Sequence, residues 1–457
     1  MKQIKQFSTY RIGIIGLFAT KIAIIKGTVF PVLFITTLLC SSLSSAQKLS
    51  RTEQKLITTI EKNNAEAITF LEKVVNINSG TLNKKGVAQV GQVFREAFDG
   101  IGFRTKWITM PEEMNRAGHL FAETSGTKGK KLLLIGHLDT VFEEDSPFQV
   151  FKRINDSVAL APGGNDMKGG NVIILYALKA LQENGLLKNA QIIAAFTGDE
   201  ESTGKPLAIS RKDLVEAAQR SDIALGFETA TGFNYATVAR RGSSGWVLET
   251  TGKRAHSSGI FNERIGAGAI FEMARILNSF YDEVRGADLL TFNPGQVLGG
   301  TFIDYDERTG KGNTFGKTNV VAQTTMVRGG MRFISEAQKQ NAQQKMRDIV
   351  ANNLPQTEAT ITFTDSYPAM PPTPGNQRLL EVLNKVSIDL GQGQVVAYDP
   401  GKRGAADLSF VAAYVDGLDG LGAMGWGAHT PEETVNLNTF EALTKRTAVL
   451  IYRLINE

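Results

Sequence analysis

The chain of 457 residues has a single cysteine, Cys40, and only four histidines. So little thiol excludes a disulfide framework. Other signatures are missing as well. There is no G-x-x-x-x-G-K-[ST] phosphate loop and no G-x-S-x-G serine-hydrolase turn. No basic patch with interleaved aromatics is present, so nothing points to a nucleic-acid partner. Internal repeats and long low-complexity runs are absent too. Even the formal net charge of +4 is a local effect. Lys2, Lys5, Arg11, Lys21 and Lys26 share residues 1–46 with no acid, and the rest of the chain is close to neutral.

Those residues, 1–46, read as a secretion signal. A basic region precedes the apolar run "TVFPVLFITTLLC" and the small residues "SSLSSA". Ser44 and Ala46 fit a small-x-small cleavage site before Gln47. The expected location is periplasmic or secreted, and the competing reading is an uncleaved membrane anchor. "TLLC" departs from a lipobox, because Leu39 sits where a small residue belongs.

The length exceeds one ordinary core, so two domains are expected. Leu56, Ile57, Ile60, Ile68, Leu71 and Val75 fall at helical spacing and predict a helix from Arg51 to about Asn78. Val87, Val90, Val93, Phe94 and Phe98 predict a second. "KLLLIGH", "AQIIAAFTGDEE" and "DIALGFE" read as short apolar strands, with "NVIILYALKALQENG" and "SRKDLVEAAQRS" as intervening helices. That alternation implies a parallel sheet covered on both faces. After Gly242 the order becomes βαββαβ, a ferredoxin-like α+β module. Pro-rich "YPAMPPTPGN" then returns the chain to the first pattern. The expected fold is α/β: a catalytic domain with a mostly parallel sheet at 47–241 and 364–457, interrupted by an inserted lid or dimerisation domain at 242–363.

Polar residues cluster where the apolar strands stop. "LLLIG" ends in His137 and Asp139, which face one way if the segment is extended. "IIAAFTG" ends in Asp199, Glu200 and Glu201, and "IALGF" in Glu228. The Gly-rich loop "PGGNDMKGG" places Asp166 before the buried helix, and the apolar "GLDGLGAMGWGA" ends in His429. Ligands of open α/β sheets bind beyond the carboxyl ends of strands. Imidazole and carboxylate are ligand types for zinc and similar ions. Asp166, Glu201, Glu228 and a hydroxide would together neutralise two divalent cations. Without cations the acids would repel. Taken singly, each of these residues also has an ordinary structural reading, and for His119 in "NRAGHLFAE" that reading stands.

"GLGAMG" at Gly420–Gly425 matches G-x-G-x-x-G, but "WGAHTPEE" follows it instead of a helix. A nucleotide-dependent oxidoreductase rests on that match alone, and no nucleotide cofactor is expected.

At "GHLDTV", "GGNDMKGG", "TGDEES", "GFE", "GKRAHSSG" and "GAHTPEE" the sequence resembles the co-catalytic zinc exopeptidase family. That family includes glutamate carboxypeptidase, aminoacylase and succinyl-diaminopimelate desuccinylase. The likeness covers roughly residues 52–457 and is strongest to glutamate carboxypeptidase. The resemblance implies two zinc ions, with cobalt or manganese as substitutes. His137 and Glu228 would hold one ion, Glu201 and His429 the other, and Asp166 would bridge them. Asp139 would orient His137, and Glu200 would be the general base. His256 would reach across a homodimer to the partner's oxyanion. Arg332, assisted by Asn319, would grip the substrate carboxylate. Tyr367 stands where glutamate carboxypeptidases carry a further arginine, so neutral C-terminal residues are expected as substrates. "RGAAD", Arg403 to Asp407, lacks a hydroxyl that the family has there, and "TFIDYDERTGKGNTFGK" resembles an extra lid hairpin. The implied activity is that of an exported zinc carboxypeptidase acting on peptides or N-acyl amino acids with a free carboxylate. An N-acyl-amino-acid deacylase is the alternative within the family, and a non-catalytic metal-binding homologue is the alternative outside enzymes.

Overall fold

The computed structural model describes residues 49–457. The leader and Cys40 lie outside the described residues. The first helix, Arg51–Val75, opens with a reciprocal cap: Ser50 Oγ accepts from the Glu53 N–H, and the Glu53 carboxylate accepts from the Ser50 N–H. It stops at Val75, short of the expected Asn78, because Asn76 closes the last turn.

Six strands form the main sheet, in the spatial order Arg104–Thr109, Gly118–Glu123, Ala190–Thr197, Lys128–His137, Ile223–Gly226, Asp416–Leu418. The last four named run parallel. Gly118–Glu123 pairs antiparallel on both sides. This strand and its neighbour Arg104–Thr109 were not among the expected strands. His119 sits inside the first of them.

Why the apolar strands read as continuous runs is now visible. Successive side chains leave a strand on opposite faces, and here both faces are buried. Leu132 and Leu134 join one core, with the helices Arg51–Val75, Gly169–Glu183 and Leu437–Ile455. Leu133 and Ile135 join the other, with Leu214, Ala217, Leu408 and Val411.

The inserted segment builds its own four-stranded antiparallel sheet, in the order Thr291–Gly300, Thr324–Phe333, Gly242–Gly252, Thr357–Asp365. The helices Ala269–Ser279 and Glu336–Val350 cover one face around Trp246, Phe280 and Met346. This is the βαββαβ module, with the hairpin Phe302–Asp306 and Lys311–Phe315 added beside it. Entry and exit strands are tied where they meet the main domain. Arg240 and Met370 exchange backbone hydrogen bonds, and the Ser243 N–H donates to the Tyr367 carbonyl at 2.8 Å.

Candidate metal centre

Strand Lys128–His137 ends inside the molecule. Gly136 lies so close to the helix Gly169–Glu183 that a Cβ there would stand 2.0 Å from Asn171 Oδ1. The same asparagine donates its Nδ2–H to the His137 carbonyl at 2.6 Å. His137 is fully buried, and its Nδ1 lies 3.0 Å from the Asp139 carbonyl oxygen. A carbonyl only accepts, so Nδ1 carries a proton in that contact, and Nε2 is the nitrogen left to face the cluster. Nε2 has no hydrogen-bond partner. It faces Asp166 Oδ1 at 3.4 Å and Glu228 Oε1 at 3.7 Å.

Asp166 comes from the tight turn Gly164–Lys168 that leads into the buried helix. Its other oxygen, Oδ2, stands 3.2 Å from His429 Nε2. The same nitrogen lies 3.2 Å from Glu201 Oε2. One carboxylate thus meets a different histidine with each oxygen. His429 does not end a strand of the main sheet, as expected for the Gly-rich run. That run splits into Asp416–Leu418 and Gly425–Trp426, and the latter belongs to a separate four-stranded sheet. His429 follows in a turn at φ +65°.

Glu200 and Glu201 also depart from expectation. Strand Ala190–Thr197 stops before them, so the two glutamates sit on a bend. Asp139 shapes that bend. Its carboxylate accepts from the Glu200 N–H at 3.0 Å, the Glu201 N–H at 3.1 Å and Thr81 Oγ1–H at 2.7 Å. The carboxylate stands 3.4 Å from His137 Nδ1, farther than the carbonyl. Asp139 therefore holds the ring by its main chain and the glutamate turn by its side chain.

Behind the bend, Tyr367 donates its hydroxyl to the Glu200 carbonyl, meets the Thr203 hydroxyl and packs on Phe410 with ring centroids 5.0 Å apart. The hydroxyl expected to face substrate is a strut for the Glu200 backbone. Arg211 reaches Asp199 and, at 2.7 Å through Nε, Asp407. Asp407 also accepts from Thr197 Oγ1. Buried Asp407, the acid of "RGAAD", is thus part of the scaffold under the glutamates.

The lid residues do not form one group. Arg332 is exposed and sits opposite Ser243, at the end of the lid sheet tied to Tyr367. His256 and Asn319 lie beyond the other end, where the Ser257 N–H donates to the Asn319 carbonyl at 2.9 Å. Strand Gly242–Gly252 separates the two ends, a rise of roughly 30 Å at strand geometry. Asn319 therefore cannot assist Arg332 of its own chain. Both distal residues are exposed, and among the described residues no hydrogen bond or ion pair joins them to the cluster of acids. His256 Nδ1 lies 2.8 Å from Ser258 Oγ.

Electrostatics show what the cluster is built to receive. Burial, then the charge of Asp166, pushes Glu228 up to about 8. Burial and Glu228 push Glu200 well above the carboxylate range. Hydrogen bonds to Asp166 and Glu201 push His429 up to about 11. Burial opposes charge on His137, but Asp139, Asp166 and Glu228 raise it all the same. Protons hold this group together by default, which means its electrostatic demand is for cations.

The residues fit a pair of divalent ions. His137 Nε2 and Glu201 Oε1 are buried without hydrogen-bond partners. Ligand-type atoms of His137, Asp166 and Glu201 lie within 4.8 Å of one another, as do those of His137, Glu200 and Glu228. Tetrahedral N and O ligands of zinc stand about 3.3–3.5 Å apart, close to the spacings above.

Glu433 escaped the sequence reading. It is fully buried beside the cluster, and the only signal was its place four residues after His429 in "GAHTPEE".

Comparison with known proteins gives the family and the fold. The sequence pattern of peptidase family M20/M25/M40 matches residues 133–453. Carboxypeptidase G2 of Pseudomonas sp. (strain RS-16) is 25% identical over 372 residues, covering 79% of this chain and 83% of that protein. Aminopeptidase PepT from Bacillus cereus ATCC 10987 superposes with a TM-score of 0.68 at 18% identity, covering 86% of this chain and 99% of that one. A dinuclear metal-binding M20 peptidase of Bacillus subtilis gives 0.60 at 12% identity, covering 87% and 99%. At these identities the structural likeness speaks for the fold.

Proposed function

From the premise that the chain belongs to peptidase family M20/M25/M40, we propose that it is a zinc-dependent carboxypeptidase cleaving the amide bond to a C-terminal amino acid. One observation carries the reading: two histidines converge on the two oxygens of Asp166, and Glu200 is fixed beside them. His137 and Glu228 would hold one ion and His429 and Glu201 the other, with Asp166 between. Bound there, two divalent ions would supply Lewis acidity toward the scissile carbonyl and lower the pKa of a water. Glu200 removes that water's proton and returns it to the leaving amine. Burial and Glu228 already raise its affinity for a proton, which suits a base that must hold one between two steps. Asp139 and Tyr367 keep the Glu200 backbone still.

Arg332 offers a fixed cation for the free carboxylate of the substrate. Support for carboxypeptidase action comes from this arginine and from the likeness to Carboxypeptidase G2. His256 and Asn319, stranded far from their own Arg332, serve the active site of a second copy, so the working unit is a homodimer joined through the lids. Export by the leader completes the proposal.

The test is a hydrolysis screen of dipeptides and N-acyl amino acids with zinc, cobalt and manganese. Turnover of dipeptides with free carboxylates, and poor turnover of their C-terminal amides, is the expected result. Turnover confined to N-acyl amino acids would replace the reading with a deacylase. No turnover by a chain holding two ions would replace it with a non-catalytic metal-binding homologue.

A further inference from the structure

Glu433 is a carboxylate with no exposure at all, in a place where the mechanism above makes no use of it. Its three hydrogen bonds all go to backbone. Oε2 accepts from the Gly163 N–H at 3.0 Å. Oε1 accepts from the Asn165 N–H at 2.9 Å and from the Asp166 N–H at 3.0 Å. The loop that carries Asp166 thus wraps its amides around one buried carboxyl group, in the manner of a backbone nest.

The main chain of Glu433 is tied equally firmly. The Ala161 N–H donates to its carbonyl at 3.0 Å, and its own N–H donates to the Thr430 carbonyl at 3.1 Å. Thr430 in turn closes the turn that carries His429, donating its N–H to the Gly427 carbonyl at 2.9 Å. A single residue therefore links the Asp166 loop to the His429 turn, two segments more than 260 residues apart in sequence. These are the segments whose side chains meet at 3.2 Å. Gly163 allows the arrangement: it sits at φ +65°, and a Cβ there would stand 2.1 Å from Thr140 Cγ2.

We propose that Glu433 is a positioning residue for the dinuclear centre, setting the distance and angle between Asp166 and His429 without touching an ion or substrate. The inference rests on the metal-centre reading above. Glu433→Gln replaces one acceptor oxygen with an amide that meets an N–H donor head-on, so at least one amide of the loop loses its bond. Glu433→Asp keeps the carboxyl group and shortens the arm.

The test measures zinc stoichiometry and affinity of the purified chain by titration calorimetry, the visible spectrum of the cobalt-loaded chain, and kcat and KM separately. Wild type should bind two ions. Glu433→Gln should bind at least one of them about 10–100-fold more weakly, the range for groups that orient metal ligands. Its cobalt spectrum should change shape, and kcat should fall while KM changes little. Glu433→Asp should fall between the two. If Glu433→Gln does not fold, Glu433→Asp alone decides, by its zinc affinity and cobalt spectrum. Wild-type zinc affinity, cobalt spectrum and kcat in a folded variant, even one with a lowered Tm, would reduce Glu433 to a structural brace and overturn the proposal. A wild-type chain that binds fewer than two ions would overturn the metal-centre reading first, and this inference with it.

Discussion

Glu200 and Glu201 are adjacent acids with separate surroundings. Glu201 meets His429, whereas Glu200 stands free of a histidine contact within hydrogen-bond range. Glu200→Gln should therefore retain both ions and lose about 10²–10⁴ in kcat. Metal analysis beside kinetics decides this, and normal turnover would remove Glu200 from the mechanism. Tyr367 calls for a different experiment than its sequence position suggested. Its hydroxyl is bonded to the Glu200 carbonyl and its ring to Phe410. Tyr367→Arg would break this support, and it should lower Tm and kcat for all substrates together. A selective gain toward C-terminal glutamate would show instead that the position faces substrate. Tyr367→Phe isolates the hydroxyl and should cost about 0.5–1.5 kcal/mol of stability, read by denaturant titration.

At the scale of elements, the antiparallel strand Gly118–Glu123 is fastened by its histidine. The His119 ring is fully buried, with Nδ1 accepting from the Gly198 N–H at 3.1 Å and Nε2–H donating to the Ser210 carbonyl at 2.8 Å. This arrangement needs the neutral ring. Burial lowers its affinity for a proton below the ordinary value of 6.5. The unfolded chain therefore binds the proton more readily. Stability from this residue is complete above pH 6.5 and is lost as the pH falls below it. Tm of wild type and of His119→Gln should differ clearly at pH 7.5 and converge toward pH 5. A gap of equal size at both values would refute the assignment. Because His119 also donates nothing to the metal cluster, the variant should keep its zinc.

For the whole molecule, the buried acids make folding and metal binding one equilibrium. Ions that bind only the folded chain stabilise it by mass action. Chelation should lower Tm and abolish activity, with both restored by about two equivalents of zinc. Tm unchanged by chelation would mean that protons satisfy the cluster as well as ions do. The lid poses the second question at this scale. His256 and Asn319 lie roughly 30 Å of strand away from Arg332, so the roles proposed for them call for a second chain. Mixing His256→Ala with Glu200→Gln chains should regain part of the activity, since one site of the mixed dimer is intact. A monomer by light scattering with full activity would end the dimer proposal.

Much of this was legible in the sequence for a definite reason. Strands buried on both faces leave continuous apolar runs, and their ends mark where a site can open, so His137, Asp166, Glu201 and Glu228 stood out before any coordinates. The ferredoxin-like order of the insert followed from alternation of period two with helical spacing. What the sequence could not carry was partnership. The strand Gly118–Glu123 is short, and its pattern gives no hint of its neighbours. The Tyr367 ring could be placed near substrate or under Glu200, and only packing against Phe410 chose between them. Asn319 and Arg332 lie 13 residues apart, yet the strand run between them carries them to opposite ends of a sheet. Glu433 shows the limit most plainly: a buried acid is recognised by the amides around it, and those amides come from a loop far away in the chain. Local pattern determined which residue types could gather at the strand ends. Tertiary structure decided which carboxylate would face the histidines and which a backbone, because those outcomes depend on distances between segments that the sequence does not contain.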